Sequence, residues 1–264
     1  MDIPLDIINI IASYIVKTRM KLYDWISIKD INWVLLSLNP NAIDLLEANQ
    51  HTIVWNFLSK NHNAIHLLEA NKHKIDWTLL PYNINAIHLL EANLDKICWR
   101  LLSQNQNAIH ILEANTQNIS WYDLAKNPNG IRLLEQNFDK IEWRYLSENP
   151  NAISILEANL DKINWNYLSL NPNAIHLLEQ NFDKINWHWL SENPNAIHLL
   201  EANPDKIVWE RLSKNPNAIH LLENNKDKIS YVIFSLNPSI FEPDNKRTTE
   251  NILNKAILLD KIIN

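Results

Sequence analysis

The chain has 264 residues, of which 46% are hydrophobic and 20% charged, and its formal charge is −6. It contains one glycine, Gly130, where ordinary usage of about 7% would place roughly eighteen, so the glycine-dependent phosphate loops and Rossmann turns of most nucleotide enzymes are excluded. One cysteine, Cys98, gives no disulfide frame and points to a reducing compartment.

The start, Met1-Asp2-Ile3-Pro4, carries an acid where a signal peptide needs a base. The apolar run Ile7 to Val16 falls short of the ~20 residues of a membrane span, so a soluble, intracellular chain with no membrane contact is expected. The segment Ile3-Pro4-Leu5-Asp6-Ile7-Ile8-Asn9-Ile10-Ile11-Ala12-Ser13-Tyr14-Ile15 reads as an apolar helix that covers the first unit of the array described next. With its Pro, acid, paired aliphatics and Tyr ending, it also resembles the opening helix of an F-box. That resemblance implies docking on a Skp-type adaptor of a cullin ubiquitin ligase through Pro4, Ile7, Ile8, Ile11 and Tyr14. Lys17 to Asp30 is too short for the remaining F-box helices, so Leu22, Tyr23, Trp25 and Ile26 would have to form a reduced version.

From Asn39 to Leu236 a block of 22 residues recurs nine times without insertion or deletion, preceded by a partial unit at Ile31 to Ser37 and followed by a decaying one at Asn237 to Phe241. A fixed period of this length defines a repeat architecture. Four apolar columns scarcely vary, headed by Ile43, Leu46, Ile53 and Trp33, and a fifth runs from Leu58 to Leu212. The Trp column holds Trp33, Trp55, Trp77, Trp99, Trp121, Trp143, Trp165, Trp187 and Trp209, ends in Tyr231, and is expected in the core.

Each unit predicts two helices. Asn-Pro signals the start of the first, with Asn as cap and Pro at the first helical position, and an Asn such as Asn49 closes it as a residue tolerant of left-handed backbone. The second is a short helix starting at the Trp, capped by Asn32, Asp76, Ser120, Asn164, Asn186 or Ser230. Helices this short are marginal alone, so stability must come from stacking. The expected fold is all-α, an elongated α-solenoid or superhelix of nine two-helix repeats. Its segments are 1–30 (cap or reduced F-box), 31–242 (repeats) and 243–264 (a linker at Pro243 to Thr249, then a capping helix from Glu250 to Ile263).

The Asn-Pro entry, longer helix and very short second helix resemble the leucine-rich repeat variant class. Units such as Asn171-Pro172-Asn173-Ala174-Ile175-His176-Leu177-Leu178-Glu179, followed by Asp183-Lys184-Ile185-Asn186-Trp187, are more closely similar to the Asn- and Ile-rich 22-residue repeat proteins of giant DNA viruses. This resemblance implies a viral repeat protein acting in the host cytoplasm or carried in the virion.

His66, His88, His110, His176, His198 and His220 each precede a Glu by three residues, but Asp44, Arg132 and Ser154 interrupt the row. It reads as a solvent-facing row rather than a metal array. The Glu column, Glu47 to Glu223, is expected to bond backbone amides or the Lys column, Lys74 to Lys228, across the turn. No nucleophile elbow, Cys-His pair, zinc spacing or paired catalytic carboxylate interrupts the repetition, so an enzyme is not expected, nor any cofactor or metal. The acidic balance and the absence of a basic stripe argue against nucleic acid.

Variation is concentrated in the two positions after each Trp, which include Tyr122-Asp123, Arg144-Tyr145, Asn166-Tyr167, His188-Trp189 and Glu210-Arg211. Mixed aromatic and Arg composition suits a protein interface. Arg144, Tyr145, Tyr167, His188, Trp189 and Arg211 are the candidate partner-binding residues of a monomeric interaction scaffold. A ligase substrate-recognition subunit and a virion structural component are the alternatives.

Overall fold

The structure is a computed structural model that describes residues 3–263. Met1, Asp2 and Asn264, the outermost residues of the two terminal segments and among them the acid at position 2, lie outside the described residues. The fold is all-α apart from one small antiparallel sheet, β1 (Met20–Leu22) against β2 (Phe241–Pro243).

A representative unit makes a helix Ile175–Gln180, a 3₁₀ turn Phe182–Lys184 and a one-turn α-helix Trp187–Leu190. The 3₁₀ turn is a third helical piece that the two-helix reading lacks. Asn-Pro opens a turn just ahead of the first helix rather than the helix itself: Oδ1 of Asn171 accepts from the Asn173 N–H at 3.0 Å, and the helix begins at Ile175. The closing Asn is also not left-handed. Asn181 has φ −131° and donates its Nδ2 to the Leu177 carbonyl at 3.0 Å, so a side chain, not a backbone reversal, satisfies the last turn. Asn32, Asn164 and Asn186 cap the short helices as expected, and Asp76 makes the same bond to the Leu79 N–H where Trp77–Leu79 is a turn rather than a helix. Ser120 and Ser230 accept no cap bond, and Ser120 donates instead to Asp123.

Close packing selects which columns are interior. The Leu columns of Leu46 and Leu58 and the Ala column from Ala42 to Ala218 are fully buried, and so are the Ser column from Ser37 and the Asn column from Asn39. The Trp column is half-buried rather than core. Among the described residues a Lys of the following unit lies over the indole face of seven Trp, as Lys74 does over Trp55 at 4.3 Å and Lys162 over Trp143 at 4.5 Å. The Lys column is thereby committed to cation–π contacts. The Glu column pairs not with it but with the His of the following unit: His66 Nε2 lies 2.7 Å from Glu47 Oε1, and His88, His110, His176, His198 and His220 repeat the contact. Arg132 replaces His in the pair with Glu113.

Neighbouring units are joined by buried Asn side chains. Nδ2 of Asn171 donates to the carbonyls of Ser147 and Asn149, at separations of 24 and 22 residues. A second Asn, Asn173, donates to the carbonyl of Pro150. The bonds repeat through the array and then join its last unit to its first. Asn39 donates to Ser235 and Asn237, Asn41 to Pro238, and the Asn32 N–H to Ser235 Oγ. The succession of units therefore returns to its start, and the expectation of an elongated array with two capped ends is corrected. The partial units at 31–38 and 237–242 together make one more unit.

The terminal segments serve this closure. β2 takes the place that a long helix occupies in other units and pairs with β1, with Lys21 opposite Glu242. Arg19 bridges Asp44 and Glu47. Tyr23 and Trp25 pack on the ring core beside buried Ile26, with Trp25 stacked on Phe234 at 5.9 Å, so these residues form a seam and not further F-box helices. The stretch read as a linker is ordered. Asp244 accepts from the Arg247 and Thr248 N–H groups, and the C-terminal helix runs Asn245–Ile263. It packs on the N-terminal helix Leu5–Ile15 around Ile8, Ala12 and Ala256.

Candidate interaction surface

Because the short helices are single turns, the residue after the Trp is exposed, the next is half-buried except at buried Leu101 and Asp123, and the following Leu, or Phe234 in the last unit, is interior. Stacking such turns in register places the variable residues of successive units in one row. Tyr122 and Tyr145 have ring centroids 4.0 Å apart, Tyr145 and Tyr167 5.3 Å, and Tyr167 and Trp189 6.5 Å. Cations are interleaved. Lys126 lies 4.6 Å from the Tyr145 ring, Arg144 4.9 Å from Tyr167, and Arg211 4.4 Å from Trp189. His188 meets Trp189 edge-on and accepts from Arg211 Nε at 2.9 Å. The structure thus brings together all six candidate partner-binding residues.

It adds neighbours that the sequence reading left out. Tyr122 sits one position earlier in its unit than Tyr145 does, so a search for one repeated column passes over it. The position after the Ser column, in which Pro81 and Ala125 replace Ser, also varies, through Lys60, Tyr82, Gln104, Lys126, Glu148, Glu192 and Lys214, and comparison of that column alone would have found it. Its members pair along the row: Lys126 with Glu148 at 3.4 Å, Arg211 with Glu192 at 3.3 Å, Lys214 with Glu192, and Lys60 over Tyr82 at 4.4 Å. A cavity of about 220 Å³ opens at the end of the row between Glu192, Arg211, Lys214, Ile233 and Leu236.

Partial burial shows in the acid–base properties. Burial raises the Glu148 carboxyl above the usual range against the opposing pull of Lys126, and burial lowers the Lys60 ammonium. The Tyr122 hydroxyl, ahead of burial, raises the Tyr145 phenol.

The adaptor-facing residues of the F-box resemblance are divided. Ile8 is buried against the C-terminal helix and Ile11 is half-buried, whereas Pro4, Ile7 and Tyr14 are exposed, Tyr14 at 87%. Among the described residues no group of three or more His, Cys, Asp and Glu is placed to hold a metal, and no helix is long and apolar enough to cross a membrane.

No protein-family model, curated protein or solved structure matches the chain.

Proposed function

We propose that the chain is a non-enzymatic protein-interaction scaffold, a solenoid of 22-residue repeats closed on itself. The invariant columns are consumed in building the frame: Asn and Ser in bonds between units, Glu and His in pairs between helices, Lys on Trp. Display is left to the variable columns, and the single observation that carries the reading is the row of Tyr122, Tyr145, Tyr167 and Trp189 with its interleaved cations. Aromatic and Arg side chains ordered on a rigid element bind at low entropic cost. The likeness of its units to giant-virus repeats supports a viral protein that acts on host proteins in the cytoplasm, with residence in the virion as the variant role.

A photo-crosslinker at Asn166, within the row, compared with one at Asn56, several units away, tests this. Partners specific to position 166 and lost in a Tyr167→Ala/Trp189→Ala double variant support the reading. Identical partners from both positions, unchanged in the variant, would overturn it.

Exposure of Pro4, Ile7 and Tyr14 favours a second reading, recruitment of a Skp-type adaptor. Recovery of that adaptor by the full chain, abolished by Ile7→Glu, is its test.

A further inference from the structure

We infer that the row around Arg144 takes an extended peptide bearing an acidic side chain, a conclusion that rests on the scaffold reading and names the partner's chemistry. Lys126 has Glu148, and Arg211 and Lys214 share Glu192, so each of these cations already has a carboxylate partner within the chain. Arg144 is exposed and, among the described residues, has neither a carboxylate partner nor a hydrogen bond; its contacts are the rings of Tyr145 at 5.6 Å and Tyr167 at 4.9 Å. A guanidinium stacked on aromatic rings is held in one plane with its donor edge free, and that edge matches a carboxylate in a two-bond fork. The partner therefore supplies the missing anion.

The spacing of the rings indicates the form of the ligand. In an extended peptide alternate side chains on one face lie roughly 6.6 Å apart, close to the 5.3 and 6.5 Å steps from Tyr145 to Tyr167 and from Tyr167 to Trp189. An acid opposite Arg144 would thus carry apolar or aromatic residues two positions away, over the neighbouring rings. A polyphosphate strand fits poorly, since it needs a cation at each step and would meet the carboxylates of Glu148, Glu192 and Glu210.

The test is selection of a random twelve-residue phage-displayed library on the full chain, followed by binding of the selected peptides to variants. Asp or Glu should be enriched, and Arg144→Glu should weaken those peptides at least about tenfold while selecting basic peptides of its own and leaving thermal melting unchanged. If peptides are selected without acidic preference yet are lost with Tyr167→Ala/Trp189→Ala, the surface reading stands and the acidic partner is overturned. If they ignore every variant, both readings fall. Failure to enrich any peptide overturns the inference, as does Arg144-dependent binding of oligo-dT with no acidic peptide selected.

Discussion

The side-chain amide of Asn39 donates to the backbone carbonyl of Asn237 at 2.9 Å, across 198 residues of sequence. Other neighbouring units make the same bond at a separation of 22, as Asn61 does to Asn39. One type of buried bond therefore both propagates the array and shuts it, leaving no terminal apolar face to be covered. An open repeat array frays from its ends, whereas this one has to break a seam first.

The Asn ladder is saturated: Asn149 gives both amide hydrogens to the carbonyls of Ala125 and Asn127 and accepts the Asn151 N–H, with its side chain fully buried. Asn149→Asp would aim a carboxylate at two carbonyl oxygens. We expect a loss of about 3 kcal/mol or more at neutral pH, read from urea unfolding, and a smaller loss for the same change at exposed Asn166.

Two units lack the Ser whose Oγ accepts the N–H of the following unit, as Ser147 does for Asn164 at 3.0 Å. One of them has Ala125, fully buried, opposite the backbone of Glu142. Ala125→Ser should restore the bond and stabilise by about 1 kcal/mol, seen as a higher melting temperature. A destabilised variant would show that this unit has no room for the hydroxyl.

Trp25 packs the seam against Phe234, and its indole N–H is buried without a partner among the described residues. Trp25→Ala should cost about 3 kcal/mol and release amide protection first in residues 31–45 and 231–242. Trp25→Phe should cost far less than a typical Trp truncation, because it removes an unsatisfied donor along with the lost area.

Burial raises the Glu148 carboxyl, so the folded protein holds that proton more tightly than the unfolded chain. Its favourable contribution is complete below the unfolded glutamate range and is lost as pH rises through the folded value. Glu148→Gln should then match or exceed the parent at neutral pH, and the gap should close on acidification in a pH series of urea midpoints. A glutamine variant markedly weaker at neutral pH would show that the Lys126 pair outweighs burial.

The period, the column identities and the row at Arg144 to Arg211 were legible because repetition within one chain exposes which positions the frame holds constant. Closure was not, although its trace is present: ten aromatics stand in the Trp column, but among the described residues only nine first helices of a repeat accompany them. The missing half-unit is completed by residues at the opposite end of the chain. The Glu–His pairs were also missed, because i,i+3 spacing draws attention to one helix, while the partners sit on adjacent helices 19 residues apart. The Trp column was misplaced for a related reason. Invariance under a Lys looks the same in sequence as invariance in a core.

Lys21 and Glu242 face each other across β1 and β2, within the Cα separation that a disulfide needs. We would replace both with Cys in a Cys98→Ala background, oxidise mildly, and record the linkage together with the hydrodynamic radius. A closed array predicts near-complete intramolecular disulfide with a radius unchanged from the reduced protein. Failure to form that bond, with the radius of an extended rod, would contradict it.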